Sequence, residues 1–183
     1  MKTLAVYCGA SHGVNPLYTD AARALAGALV AHNIGLVYGG GKVGLMGVIA
    51  DEVLRLGGEA TGVIPKALVE REVGHAGLTR LFVVKDMHER KAMMAELSEG
   101  FIAMPGGMGT LEELFEMVTW AQLGIHAKPI GLYNPNGFWD GLTAFVQHQS
   151  REGFVRPEHL GLMQVDADPD GLIKRLRAAC APA

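Results

Sequence analysis

The sequence predicts an α/β domain: a Rossmann-like, doubly wound parallel sheet of about seven strands flanked by helices. Short β-like apolar runs alternate with longer segments of helical periodicity, the pattern of a parallel sheet covered on both faces. Proline and glycine punctuate the boundaries between them. The apolar run 4–8 is the first strand, closed by Gly9, and Pro16 opens a helix over 16–32. Residues 35–38 form the second strand between Gly35 and Gly39, followed by a helix over 43–56 and a third strand over 60–64. Residues 65–80 lack periodicity and read as a loop over the site, of the kind that closes on a substrate. A strand over 81–84, a helix over 87–97 and a strand over 101–104 come next. The helix at 111–123, the strand at 130–133, the helix at 137–149, a weaker strand at 162–165 and a helix at 169–179 complete the alternation. No repeat, linker or low-complexity stretch interrupts it, so residues 1–183 read as a single domain.

Composition excludes several function classes. The 183 residues are 49% apolar, enough for a core, and carry a net charge of −3 from 16 basic and 19 acidic residues scattered without a run. That is no footprint for nucleic acid. The N-terminus reads as a strand rather than a signal peptide, and no apolar run approaches the roughly 18 residues of a membrane span. Cys8 and Cys180 lie near opposite ends, too few for a disulfide framework, which fits a reducing cytoplasm. Cys8 is expected to be a small buried strand residue. The seven histidines show no HxH or HExxH spacing, so no metal is expected.

In an open parallel sheet, ligands bind beyond the carboxyl ends of the strands, and three of the loops there are rich in glycine. Cys8-Gly9-Ala10-Ser11 follows the first strand, Gly39-Gly40-Gly41-Lys42 the second, and Gly106-Gly107-Met108-Gly109-Thr110 the fifth. None fits a Walker loop or a GxGxxG fingerprint, which argues against ATP hydrolysis and dinucleotide oxidoreduction. The third reads as strand, glycine loop, helix: backbone N–H groups approach a ligand closely there, and the helix start favours an anion. Glu112 and Glu113 stand just beyond. A loop that only held phosphate would gain little from them, so the motif points to chemistry on a phosphorylated substrate. The spacing also admits a structural reading, in which Thr110 is the N-cap and Glu113, three residues on, completes a capping box. Glu89-Arg90-Lys91 on its own reads as an ordinary charged helix start with a solvated face.

The stretch Pro105-Gly106-Gly107-Met108-Gly109-Thr110-Leu111-Glu112-Glu113 matches the pattern PGGxGTxxE without a gap. With Met87-His88-Glu89-Arg90-Lys91 and Tyr38-Gly39-Gly40-Gly41, it closely resembles the Lonely Guy (LOG) family of cytokinin riboside 5′-monophosphate phosphoribohydrolases. The likeness runs from Val6 through Gly124, with Lys128-Pro129 beyond; the last thirty or so residues look generic. The resemblance implies hydrolysis of the N-glycosidic bond of AMP or an N6-prenylated AMP, releasing base and ribose 5-phosphate without a cofactor. Family members long carried a lysine decarboxylase label; that chemistry implies a pyridoxal phosphate lysine, for which the sequence gives no context.

The resemblance carries the catalytic roles onto Arg90 and Glu113. It carries substrate contacts onto Glu72, Arg90, Lys91, Gly107, Met108, Gly109, Thr110, Leu111, Glu112, Glu113 and Thr119; Ser11 and Met87 are further candidates for the pocket wall. The chemistry agrees, because an oxocarbenium-like state needs a carboxylate near the anomeric carbon and a placed water. Glu113 suits that role, and a first-turn position would hold it ionised through the helix dipole. The resemblance also implies a homodimer. The apolar helix face of Leu114, Phe115, Met117, Val118, Ala121 and Leu123, with Trp120, would pack against a second subunit or within one core. The alternative is a non-catalytic nucleotide-binding or carrier protein on the same fold, since a fold and a cradle do not specify turnover.

Overall fold

The computed structural model describes residues 1–69 and 74–180. Seven strands form one parallel sheet: β1 (Thr3–Tyr7), β2 (Gly35–Tyr38), β3 (Ala60–Pro65), β4 (Arg80–Val84), β5 (Phe101–Ala103), β6 (Ile130–Tyr133) and β7 (Met163–Asp166). They are crossed by α1 (Leu17–Ala31), α2 (Gly44–Arg55), α3 (Met87–Glu96), α4 (Met108–Gln122), α5 (Asp140–Arg151) and α6 (Pro169–Ala179). The doubly wound expectation holds, with spatial order β4-β3-β2-β1-β5-β6-β7.

The order runs backwards from β4 to β1 and then forwards from β5, so the topological switch lies between β1 and β5. Ala5 pairs with Val37 on one side and Phe101 on the other. Two layers of side chains bury the sheet because successive residues of a strand point to opposite faces. Leu4, Val6 and Cys8 face the layer built by α1, α2 and α6. Ala5 and Tyr7 face the layer of α3 and α4, where Tyr7 stacks on Phe101 at 6.1 Å. Burial on both faces explains why the strands read as continuous apolar runs.

Two helix starts differ from the sequence reading by three residues, and the other boundaries agree within two. The fifth helix starts at Asp140 rather than 137, because Asn136 and Gly137 both adopt positive φ in a short 3-10 turn. The fourth starts at Met108 rather than 111, so the end of the glycine motif is already helical. This overturns the capping-box reading. The N-cap is Gly107, with no side-chain cap, which places Thr110 within the first turn and Glu113 in the second. By contrast α3 and α6, which start beside the sheet edges, are capped by Asp86 onto the N–H of Glu89 at 3.0 Å and Asp168 onto that of Gly171 at 2.8 Å.

Candidate active site

Beyond the carboxyl ends of β1 and β5 the switch opens a cavity of about 460 Å³. Its floor is the turn of Cys8, Gly9, Ala10 and Ser11. One wall is the start of α4, with Gly107, Gly109, Thr110, Glu112 and Glu113, and the other is Met46, Leu68, Met87 and Arg90. The two glycine turns touch: Gly9 N–H donates to the Pro105 carbonyl at 3.1 Å, and a Cβ on Gly106 would lie 2.9 Å from Gly9 N and 2.1 Å from Thr110 Oγ1. Gly106 is thus required by packing. Gly107 and Gly109 differ, because a Cβ on either would meet nothing within 4 Å. Both line open space at the uncapped start of a helix, where backbone N–H groups lack intrahelical acceptors and the dipole favours an anion.

Arg90 and Glu113 face each other across this cavity and are both buried, at 5% and 8% exposure. The Arg90 Nη2 lies 3.6 Å from Glu113 Oε1, and Nη1 reaches the Met87 sulfur at 3.6 Å. Arg90 Nε is buried with no partner among the described residues. Five donors therefore meet few strong acceptors, leaving the guanidinium with capacity for a ligand. Its position depends on Gly39, where a Cβ would fall 2.0 Å from Nη2. The YGGG turn thus contributes the room in which Arg90 lies. Beneath the pair, burial first and the Glu113 charge second push the Cys8 thiol far above its ordinary range, so Cys8 is a neutral thiol and no nucleophile. The same causes, in the same order, raise the Tyr7 hydroxyl, so neither group supplies a competing negative charge.

The remaining sequence-predicted residues divide sharply. Arg90, Gly107, Gly109, Thr110, Glu112 and Glu113 line the cavity, as do Ser11 and Met87. Lys91 turns away: its ammonium is held by the Glu112 carboxylate and by Glu116 at 3.1 Å. Leu111 packs against the core, Met108 is 84% exposed, and Thr119 lies on the outer face of α4, about 14 Å along the axis from Thr110 at 1.5 Å per residue. Glu72 lies outside the described residues. The sequence reading missed Met46, Leu68 and Glu116, which have no local signal; the YGGG turn flagged Gly39 without its partner. Leu68 lies in the loop expected over the site, and beyond the undescribed residues His75 ties that chain back, its Nε2 on Asp51 at 2.8 Å and its N–H on the Gly40 carbonyl. A larger hollow of about 640 Å³ at the amino ends of β6 and β7 lacks comparable chemistry, since Lys128 there donates to the Ala95 carbonyl at 2.6 Å. Among the described residues no cluster of three or more His, Cys, Asp or Glu suits a metal ion, and no helix is long and apolar enough to cross a membrane.

A family model described as "Possible lysine decarboxylase" matches residues 46–176. A cytokinin riboside 5′-monophosphate phosphoribohydrolase of Arabidopsis thaliana is 47% identical over 175 residues, 96% of this chain and 82% of its own. A protein of Oryza sativa subsp. japonica named "Probable cytokinin riboside 5′-monophosphate phosphoribohydrolase" is 48% identical over 175 residues, 96% of this chain and 72% of its own. Among solved structures, the molybdenum cofactor binding protein of Rippkaea orientalis superposes with a TM-score of 0.72, covering 98% of this chain and 97% of that one at 18% identity, a likeness of fold alone. On its extended identity with the plant proteins, the chain belongs to the LOG family of cytokinin riboside 5′-monophosphate phosphoribohydrolases.

Proposed function

We propose that the chain hydrolyses the N-glycosidic bond of AMP or an N6-modified AMP, adding water to release the free base and ribose 5-phosphate. The observation that carries this reading is the buried Arg90–Glu113 pair in a cavity that also holds an uncapped helix start. The 5′-phosphate accepts from the first N–H groups of α4 around Gly107, Gly109 and Thr110, which fixes the ribose over the second turn. Glu113 then faces the anomeric carbon, stabilises the cation that forms as the bond to the base lengthens, and takes a proton from the attacking water. Arg90 holds that carboxylate and directs its spare donors at the substrate. A carrier would use the same cradle, but it has no need of a buried carboxylate at the sugar.

The protein is proposed to act as a homodimer in the cytoplasm. Phe115, Leu123 and Ile125 are exposed on and just beyond α4, beside Thr119, so a second copy on this face would cover them and bring Thr119 near a substrate. The two free cysteines support a reducing compartment. Purified protein incubated with AMP and isopentenyl-AMP should release base and ribose 5-phosphate in equal amounts. Absence of both products across a panel of nucleoside monophosphates would reject the enzymatic reading, and sedimentation as a monomer would reject the dimer.

A further inference from the structure

We infer that His75 is a positioning residue for the nucleotide site, joining three parts of the cavity wall through a ring bonded at both nitrogens. Parallel strands are usually connected through a helix that supplies its own hydrogen bonds, but between β3 and β4 the described residues hold only the 3-10 turn Lys66–Leu68. Such a connection keeps its place only where neighbours tie it down. Leu68 on this connection lines the cavity, and the ties come just after it. The Gly74 N–H donates to the Val69 carbonyl at 3.0 Å, Gly74 forms an antiparallel bridge with Gly41, and the His75 N–H donates to the Gly40 carbonyl at 3.0 Å. The ring fixes the other side. Its Nδ1 accepts from the Gly77 N–H at 3.1 Å, which places the ring proton on Nε2, and Nε2 donates to Asp51 Oδ1 on α2 at 2.8 Å. Gly77 permits this close approach, since a Cβ there would lie 3.2 Å from the ring Cε1. His75 is 3% exposed, so a ring without these partners would leave buried polar nitrogens unmet. The helix that carries Asp51 also brings Met46 to the cavity, and the Gly39–Gly41 turn bounds the room of Arg90. One side chain therefore holds Leu68, that turn and Met46 in register, although His75 itself does not line the cavity.

The inference rests on the proposed hydrolysis, and a double-mutant cycle tests it separately. His75→Ala and Asp51→Ala should each raise KM for AMP by roughly tenfold, the worth of one well-made hydrogen bond. The change in kcat should be far smaller, because a looser turn widens rather than fills the room beside Arg90. The double variant should be no worse than His75→Ala alone, since Asp51 then has nothing left to hold. His75→Gln, whose amide nitrogen reaches the place of Nε2, should restore most of the affinity. In Asp51→Ala the amides of His75 and Gly77 should exchange hydrogen faster, while those of β1 and β5 keep their protection. The Asp51 side chain is 55% exposed on a helix that favours alanine, so this variant carries the test if His75→Ala does not fold. The same cycle in a Glu113→Gln background, read as AMP affinity by calorimetry, works without turnover. Hydrolysis failing in the wild type therefore counts against the proposed function alone. Additive losses would overturn the inference, as would an unchanged KM in both single variants or faster exchange throughout β1 and β5, which would make the pair a general support of the fold. Absence of AMP binding by the parent protein would overturn both.

Discussion

Replacing Gly39 with alanine would move Arg90 without changing any charge. The added Cβ would stand 2.0 Å from Arg90 Nη2, 3.1 Å from its Cζ and 3.0 Å from the Met46 sulfur. Ordinary contact begins at 3.4 Å, so the guanidinium must retreat by about 1.4 Å. Gly39 is not among the glycines with positive φ, so alanine adopts its backbone without strain and the whole effect falls on the side chain. Misplacing a catalytic group by about 1 Å costs on the order of 100-fold, and we expect that loss in kcat/KM for release of adenine from AMP. Overpacking costs about 1–3 kcal/mol, within the roughly 5–15 kcal/mol that holds a domain folded, so Gly39→Ala should melt lower but remain native. Gly27→Ala is the control: it lies in α1, where a Cβ meets nothing within 4 Å, and it should keep full activity. A folded Gly39→Ala enzyme with wild-type kcat would refute the claim that the placement of Arg90 governs the chemistry.

Glu113→Gln should abolish turnover, assayed as released base, yet retain the native circular dichroism spectrum, because the helix does not use this residue as a cap. Its melting point should fall, since removing one partner of a buried pair costs about 3–5 kcal/mol. Gly109→Ala should raise the melting point, as alanine is favoured over glycine in a helix by about 1 kcal/mol, while weakening ribose 5-phosphate binding in calorimetry by filling open space in the cradle; unchanged affinity would remove the phosphate from this turn. His126 accepts from the Lys128 N–H on Nδ1 and bonds the Met117 carbonyl through Nε2, and burial lowers its pKa. The unfolded chain therefore binds a proton that the folded one resists. This contribution should be fully present above the unfolded value of about 6.5 and lost as pH falls below it, so melting points of wild type and His126→Gln should converge in acid.

Every strand and helix of the sheet was legible because two periodicities alternate and glycine or proline often marks a boundary. Errors arose where glycine itself is structured. At Gly107, Met108 and Gly109 low helix propensity reads as loop, yet the helix already begins at Met108 without a side-chain cap, which moved the helix start by three residues and made Thr110 and Glu113 resemble a capping box. The Arg90–Glu113 pair was legible only through a long motif, since spacing alone left Arg90 on a solvated face. The contacts that place it depend on topology. Gly39 meets Arg90 because β2 and α3 converge beyond the carboxyl ends of the strands, and Glu116 meets Lys91 because α3 and α4 share a sheet face. No local pattern encodes either contact.

The positions that assemble this site are those where the chain forgoes stability. Gly107 leaves α4 without a side-chain cap, Gly109 occupies a helical position that alanine would fill better, and Arg90 Nε and Glu116 Oε2 are buried without partners among the described residues. Strands buried on both faces supply the compensation, for Leu4, Ala5, Phe101 and Ile102 at the switch are fully buried, each large apolar side chain contributing about 1.5–3 kcal/mol. A phosphate at the α4 start would serve as the missing cap, and a nucleotide against Arg90 would satisfy its idle donors. Ligand binding to the folded state alone stabilises it by about 2.7 kcal/mol at a hundredfold excess over Kd. What the chain forgoes in capping and hydrogen bonding is therefore what a substrate bound as proposed would supply, and a variant that corrects the deficit in the protein would weaken binding there.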